Sequence, residues 1–283
     1  MGKVLTVMNM KGGVGKTTVA IHLAGIMCKS SWAQKRVLAI DYDPQFNLSQ
    51  AFLPAKTYFA LEKARMTTIA ILLDDDTKLD PYHIQVPGNN NPPNLATIVT
   101  HVYQKTSYSS GSLDIIPSTL DLMYLALGQS DVKTQPMEER FEKFIEDCRK
   151  IYDLILIDCH PAGSLFTKTS LRNSDDVLIP VVPESSYAIR GIGLMMNFIK
   201  AKKVGGKSPT PHILLNMTPR FGSTAKEMSI RANPEVAPFC MTRSLKRYKA
   251  FSEPEGGKGF VWAGLFSSAD IEGRLGIPGG ENV

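Results

Sequence analysis

The feature that most constrains the fold of this chain is a glycine-rich stretch, NMKGGVGKTT from Asn9 to Thr18, directly after a short apolar segment. A strand, a glycine-rich loop and a helix in that order bring backbone N–H groups and a helix N-terminus together around phosphate groups. In this arrangement we expect Lys16 to neutralise the β- and γ-phosphates of a nucleotide and the Thr17 hydroxyl to bind Mg²⁺. The predicted nucleotide-binding residues of the loop are Gly12, Gly13, Val14, Gly15, Lys16, Thr17 and Thr18.

The rest of the chain alternates short, β-branched apolar runs with amphipathic stretches, a pattern typical of a parallel sheet with crossover helices. We therefore predict an α/β fold, a doubly wound and mainly parallel sheet flanked by helices. The predicted strands are residues 4–8, 36–40, 113–116, 154–157, 177–181 and 213–215. The predicted helices are residues 17–28, 137–151 and 189–201.

We expect one P-loop domain over residues 1–262 of the 283-residue chain. Residues 80–110 contain the turn-forming sequence GNNNPPN and are expected to form a long surface loop or insertion. Residues 263–283 show little periodicity and include IEGR, the recognition sequence of a tag-removal protease, so no function is assigned to this tail.

The strict phosphate-loop pattern GxxxxGK[ST] is broken, because Met10 stands where its first glycine should be. The next residue is a second lysine, Lys11. KGGVGKTT resembles the deviant Walker A box of the ParA/MinD superfamily. By that resemblance Lys11 reaches across a dimer interface to the nucleotide of the other subunit; the alternative is a solvated loop charge.

Carboxylates follow two of the predicted strands. VLAIDYDPQFNLS (residues 37–49) looks like the switch I box of the same superfamily, which implies that Asp43 positions the attacking water and that Asp41 supports Mg²⁺ through water. A strand-end cap is the alternative for Asp41. YDLILIDCHP (residues 152–161) has the Walker B arrangement, in which an apolar strand directs Asp158 at the metal. The candidate catalytic residues are Lys11, Lys16 and Asp43, and the candidate metal-binding residues are Thr17, Asp41 and Asp158.

ILLNMTPRF places Asn216 at the end of a late strand, where a side-chain amide can read an adenine edge. The resemblance favours this role over that of a capping residue. The resemblance extends over residues 1–262, and the segments LDIIPSTLDL (residues 113–122) and VLIPVVPE (residues 177–184) favour the ParA branch.

The charge distribution points to an anionic partner. Residues 200–258 hold twelve Lys and Arg against four acidic residues, a net of +8 in a chain whose total is +5. Such a surface suits the phosphate backbone of DNA, although a solvated basic face is the default explanation. The candidate DNA-binding residues are Arg220, Arg243, Lys246, Arg247 and Lys249.

The resemblance implies a ParA-like ATPase with ATP and Mg²⁺ as cofactors. It would form an ATP-dependent homodimer, bind DNA non-specifically and drive segregation or positioning of a plasmid, a chromosome or other cargo. A ParB-like or other adaptor would stimulate hydrolysis.

Two other functions remain open, a MinD-like membrane-associated positioning ATPase and a nucleotide-gated DNA-binding or scaffold protein with incidental hydrolysis. The first needs a basic amphipathic C-terminal helix, and GIPGGENV is not one. The four scattered cysteines encode no iron–sulfur site by local spacing. Without an apolar run near the roughly 18 residues of a membrane span, or room for a signal peptide, we expect a cytoplasmic protein with no membrane partner, nucleoid-associated if it binds DNA.

Overall fold

The structure is a computed structural model. It describes residues 1–30, 32–74, 79–80, 86–103, 111–127, 134–160, 165–185, 187–201 and 208–247. The tail 263–283 and the candidate Lys249 lie outside the described residues.

The described strands form one seven-stranded sheet. Its order is β3-β4-β2-β5-β1-β6-β7, and every neighbouring pair is parallel except β3 with β4. This arrangement confirms the predicted α/β fold with a mainly parallel sheet. The strands are β1 (Lys3–Val7), β2 (Arg36–Tyr42), β3 (Thr100–Tyr103), β4 (Ser112–Ile116), β5 (Leu154–Cys159), β6 (Asp176–Val181) and β7 (Thr210–Leu215).

Helices connect the strands and cover the sheet. The described helices are α1 (Lys16–Lys29), α2 (Asn47–Phe52), α3 (Ala55–Lys63), α4 (Ile69–Leu72), α5 (Leu95–Ile98), α6 (Leu122–Leu127), α7 (Gln135–Ile151), α8 (Leu165–Asn173), α9 (Ala188–Ala201) and α10 (Ala225–Ala232). A single 3-10 turn follows at Ala237–Phe239. Within the described ranges, none of these helices combines the length and the apolar character that crossing a bilayer requires.

Two hydrophobic cores lie on opposite faces of the sheet, because side chains alternate along each strand. On β2, Leu38 and Ile40 belong to the core that includes residues of α7, α8 and α9. Val37 and Ala39, which alternate with Leu38 and Ile40 along the strand, belong to the core beneath α1, α2 and α3. Burial on both faces explains why the central strands read as continuous apolar runs in the sequence.

The six predicted strands and three predicted helices are confirmed, with ends that differ by up to three residues. Residues 80–110, expected to form a long surface loop or insertion, contain α5 and the edge strand β3. Both elements have four residues, too few for a helical or alternating pattern to stand out beside GNNNPPN. β3 pairs antiparallel with β4 and so extends the sheet at one edge.

One buried arginine holds part of this region in place. Arg140 of α7 is 3% exposed. Its guanidinium donates to the main-chain carbonyls of Ala70, Ile71 and Leu73 at 3.1, 3.0 and 3.3 Å, and so satisfies carbonyls at the end of α4. It also pairs with the Asp74 carboxylate at 2.7 Å. Further hydrogen bonds from its guanidinium to the carbonyls of residues 89 and 91 attach this part of residues 80–110 to α7.

Replacing Arg140 with Met should therefore destabilise the fold strongly. The variant leaves a carboxylate and several buried carbonyls without their donor, and we expect the free energy of unfolding to fall by roughly 3 to 5 kcal/mol. Urea unfolding at neutral pH measures the change. Lys150→Met on the same helix is the control, because the Lys150–Asp147 pair is exposed and its loss should change stability little. Equal losses in both variants would contradict a structural role for Arg140.

Candidate functional site

The glycine-rich loop joins β1 to α1 at the carboxyl edge of the sheet. Gly13 and Gly15 have φ angles of 71° and 82°, in the left-handed region that glycine adopts without steric cost. Among the described residues no side chain caps α1, and its first turn carries no acidic residue. The first N–H groups of α1 are therefore left for an anion.

Asn216, directly after β7, holds the glycine-rich loop from the side. Its side-chain Nδ2 donates to the Val14 carbonyl at 2.8 Å, and its own N–H donates to the Val181 carbonyl at 2.7 Å. A Cβ added at Gly15 would lie 2.6 Å from that Nδ2, so the close approach requires glycine. The amide of Asn216 is thus engaged with the loop in this structure, and its predicted contact with adenine stays a prediction.

Three carboxylates lie near the loop. Asp41 is the penultimate residue of β2 and the register partner of Asp158 on β5, so the two residues lie side by side on adjacent parallel strands. Both are buried, and Asp43 is nearly so. Taking two neighbouring carboxylates out of water is costly unless positive charge or hydrogen-bond donors compensate. This part of the sheet is therefore suited to bind a cation.

Asp158 is directed towards the glycine-rich loop. Burial raises its pKa to about 7, the charge of Asp43 adds to this, and a hydrogen bond from Thr17 and the charge of Lys16 oppose it. Its Oδ2 atom is buried without a hydrogen-bond partner among the described residues. An unsatisfied carboxylate oxygen beside a threonine hydroxyl is the oxygen-donor chemistry that Mg²⁺ prefers. The residues present therefore fit a magnesium ion held between Thr17 and Asp158.

Asp41 has a different environment. Its Oδ2 accepts hydrogen bonds from the Ser49 N–H at 2.8 Å and from the Ser49 hydroxyl at 2.6 Å. Burial, with the nearby charge of Asp158, raises the pKa of Asp41 well above its usual range, and the Ser49 bonds work against the shift. Asp41 thus anchors the segment that follows β2, which agrees with the strand-end alternative, and its support of Mg²⁺ through water stays a prediction.

Asp43 lies in the turn between β2 and α2. Its Oδ1 accepts a hydrogen bond from the Gln45 N–H at 3.0 Å, and its carbonyl accepts one from the Ser118 hydroxyl at 2.6 Å. Ser118 and Ser49 were not among the sequence-predicted site residues. Both lie in segments that the resemblance covers. The hydrogen bond between the Ser118 N–H and the Ser49 hydroxyl, however, joins residues 69 positions apart and depends on how β4 pairs with β2.

Lys11 lies on the outer rim of the loop. Its N–H donates to Asn9 Oδ1 at 3.0 Å, and its ammonium donates to the Ser185 hydroxyl at 2.5 Å, in the segment that leads into α9. Met10, the residue before Lys11, and Tyr187, two positions after Ser185, are both exposed. Lys11 is therefore presented outwards, whereas Lys16 is buried beside Asp158.

Two basic segments lie together beyond β7. Thr218 forms an isolated parallel bridge with Lys246, with its N–H on the Leu245 carbonyl at 3.1 Å and its carbonyl on the Arg247 N–H at 2.9 Å. The Lys246 ammonium donates to the Gly222 carbonyl at 3.2 Å, which joins its segment to the loop that carries Arg220. Arg243 is exposed in the same segment as Lys246. Four of the five sequence-predicted basic residues therefore share two adjoining segments.

The family comparison gives a clear match. A protein-family model described as an AAA domain matches residues 2–207 of the chain. The sporulation initiation inhibitor protein Soj of Bacillus subtilis is 32% identical over 202 residues, which cover 71% of this chain and 66% of Soj. The matched part is thus slightly less than two thirds of that relative.

Solved structures match over almost the whole chain. The plasmid partition protein of Borrelia burgdorferi B31 bound to AMPPNP has a TM-score of 0.63 at 20% identity, with 98% of this chain and 97% of that chain covered. The structure of pNOB8 ParA bound to nonspecific DNA has a TM-score of 0.62 at 21% identity, with 98% and 93% covered. At these identities the similarity supports the fold.

The raised pKa of Asp158 predicts how stability of the nucleotide-free protein depends on pH. Between about 3.9, the pKa of an unfolded aspartate, and about 7, the folded state binds more protons than the unfolded state. Stability should therefore fall as pH rises through this window, by up to about 1.4 kcal/mol per pH unit for one group. In Asp158→Asn the fall should be shallower, measured by urea unfolding at several pH values between 5 and 7 without Mg²⁺. If stability falls equally with pH in the wild-type protein and in Asp158→Asn, Asp158 does not titrate in this range.

Proposed function

The chain belongs to the ParA branch of the ParA/MinD superfamily of P-loop proteins, and from that premise we propose that it is an ATPase that dimerises on ATP and binds DNA without sequence preference. The observation that carries the nucleotide part is the cluster of Lys16, Thr17 and Asp158 beneath the glycine-rich loop. A buried ammonium, a hydroxyl and an unsatisfied carboxylate oxygen are the groups that a phosphate chain with Mg²⁺ requires.

In this proposal the loop residues 12–18 bind the phosphates through their N–H groups, and Lys16 neutralises the β- and γ-phosphates. Thr17 and Asp158 would hold Mg²⁺, with Asp41 contributing through water. The bound ion would neutralise charge on the phosphates. Asn216, already adjacent to Val14 and Gly15, would contact the adenine.

Asp43 is proposed to orient the water that attacks the γ-phosphate. Its side chain is close enough to Asp158 for its charge to raise the pKa of that carboxyl, which supports a position near the proposed metal and phosphates. A carboxylate near the phosphates can accept a hydrogen bond from water and hold it in line for attack. The turn that carries Asp43 is fixed through its own backbone, so the carboxylate needs little reorganisation to act.

The dimer is supported by the position of Lys11. A lysine needed only by its own nucleotide would point into the loop as Lys16 does, whereas Lys11 lies on the rim with exposed apolar residues beside it. Exposed apolar side chains around a charged group are typical of a contact surface. Lys11 is therefore proposed to reach the nucleotide of a second subunit.

The DNA surface is proposed to consist of Arg220, Arg243, Lys246 and Arg247. These residues come from two segments joined by the Thr218–Lys246 bridge, so their charges act on one ligand. Phe221, 83% exposed with the Arg220 guanidinium 5.5 Å from its ring, adds a surface on which a sugar or base can pack. One of the similar structures is described as a ParA bound to nonspecific DNA, which agrees with this proposal.

A second protein is expected to trigger hydrolysis, as a ParB-like or other adaptor would, and the cargo would be a plasmid, a chromosome or another assembly. The proposed location is the cytoplasm, on the nucleoid when ATP is bound. The MinD-like alternative predicts binding to anionic lipid instead of DNA. The scaffold alternative predicts nucleotide-dependent DNA binding that does not need turnover.

Lys11 and Lys16 should fail in different ways when each is replaced with Ala. Lys16→Ala removes the charge on the phosphates and should lower ATP affinity by at least tenfold. Lys11→Ala should bind ATP within about threefold of wild type as a monomer yet form no ATP-dependent dimer, because only the contact between subunits is lost. Nucleotide titration and sedimentation velocity measure the two properties. If Lys11→Ala dimerises as wild type does, the role in the second subunit is wrong.

DNA binding should be steeply dependent on salt and independent of sequence. The logarithm of the affinity for unrelated duplexes should fall linearly with the logarithm of salt concentration, and each phosphate contact contributes about 0.9 to the slope. Arg220→Ala and Arg247→Ala should each lower the slope by about one contact. Lys56→Ala, exposed on α3 away from β7, is the control and should leave it unchanged. Unaltered slopes in both arginine variants would place the DNA surface elsewhere.

A further inference from the structure

A continuous chain of buried hydrogen bonds connects Asp41 and Asp43, the two aspartates of the segment that resembles a switch I box, residues 37–49. The Ser49 hydroxyl donates to Asp41 Oδ2 at 2.6 Å and accepts the Ser118 N–H at 2.9 Å. The Ser118 hydroxyl then donates to the Asp43 carbonyl at 2.6 Å. Ser49 and Ser118 are fully buried, so every donor and acceptor in the chain has its partner away from water.

The same turn contains a strained residue. Phe46 has a φ of 44°, a left-handed conformation that costs a non-glycine residue free energy. Its N–H donates to the Asp43 carbonyl at 2.9 Å, so that carbonyl accepts two hydrogen bonds, one from Phe46 and one from Ser118. A strained turn persists only when its surroundings hold it in place. Ser118 supplies one such contact from outside the turn.

A second contact anchors the opposite side of the segment. The Thr68 hydroxyl donates to the Asp41 carbonyl at 2.7 Å and to the Pro117 carbonyl at 3.1 Å. Two sets of hydrogen bonds thus join the end of β2 and the segment after it to the residues after β4. One is made by Thr68 and the other by Ser49 and Ser118. Ser118 follows Pro117 directly, so its hydroxyl is placed by a stretch of chain that is itself fixed.

We propose that Ser49 and Ser118 are positioning residues for hydrolysis, which hold the Asp43 backbone so that its carboxylate faces the γ-phosphate. This inference rests on the proposed ATPase function. Ser118 acts through the Asp43 carbonyl, and Ser49 acts through the Asp41 carboxylate and the Ser118 N–H. Their loss should slow turnover without weakening ATP binding, because the glycine-rich loop and Lys16 are held by other contacts.

Ser118→Ala tests the inference cleanly, because it removes one hydrogen bond and leaves the Ser118 N–H on Ser49. We expect kcat for ATP to fall about tenfold, the effect of losing one such bond in the transition state alone, while the Kd for ATP stays within twofold. Hydrogen exchange of the nucleotide-free protein should be faster at residues 43–48. That second measurement does not depend on hydrolysis.

Ser174→Ala is the matched control. Ser174 is also buried, donates to the Ser170 carbonyl at 2.7 Å and contacts the Thr6 hydroxyl at 2.6 Å, but it precedes β6, which β5 and β1 separate from β2 in the sheet. Ser174→Ala should lose about as much thermal stability as Ser118→Ala. Its kcat and its hydrogen exchange at residues 43–48 should equal those of the wild-type protein. Equal kcat losses in the two variants would show a general structural effect and overturn the positioning role.

A double-mutant cycle adds a further check. If Ser49 and Ser118 act as one chain, Ser49→Ala combined with Ser118→Ala should lower kcat by much less than the product of the single effects. Fully multiplicative losses would overturn the connected chain. Wild-type protein that binds ATP but does not hydrolyse it, with or without DNA, would overturn the proposed function itself. Unchanged exchange at residues 43–48 in Ser118→Ala would refute only the positioning role.

Discussion

Two carboxylates buried side by side are the constraint on which the rest of the site depends. Asp41 and Asp158 are opposite each other in the register of β2 and β5, and neither is exposed. An arrangement that costs this much free energy persists only if the surroundings repay it. The protein supplies Lys16 and Thr17 to Asp158 and Ser49 to Asp41, so each carboxylate has its own set of compensating groups. Within the part of the chain that the structure describes, Oδ2 of Asp158 has no hydrogen-bond partner, and a cation beside it would compensate its charge.

Under the proposed function, the two sets of groups divide the site into a nucleotide-binding half and a hydrolytic half. Asp158 belongs with the glycine-rich loop and α1, so its contacts bear on how tightly the nucleotide is held. Asp41 belongs with the turn that carries Asp43, so its contacts bear on the orientation of Asp43, the residue proposed to act in hydrolysis. The halves meet because β2 and β5 are neighbours in the sheet. Binding and turnover can therefore be altered separately by substitutions on one strand or the other.

How much of this could be predicted depended on whether a residue's role is local. The P-loop, the strand that delivers Asp158 and the parallel sheet follow from short patterns, since parallel strands place their carboxyl ends at one edge. Ser118 could not be found in this way, because its contact with Asp43 needs the pairing of β4 with β2. The edge strand β3 was missed because its four residues follow a turn-rich sequence and pair antiparallel. The direction of the Lys11 side chain depends on Ser185, which is 174 residues away.

A single residue separates the contact with the glycine-rich loop from the contact with the basic segment. Asn216 holds the Val14 carbonyl of the glycine-rich loop, and Thr218 holds the segment that carries Lys246 and Arg247. Met217 between them has a φ of 55°, and its N–H is fixed on Asn216 Oδ1 at 2.9 Å. One short turn therefore contacts the glycine-rich loop on one side and the basic segment on the other, because Asn216 and Thr218 flank the single residue Met217.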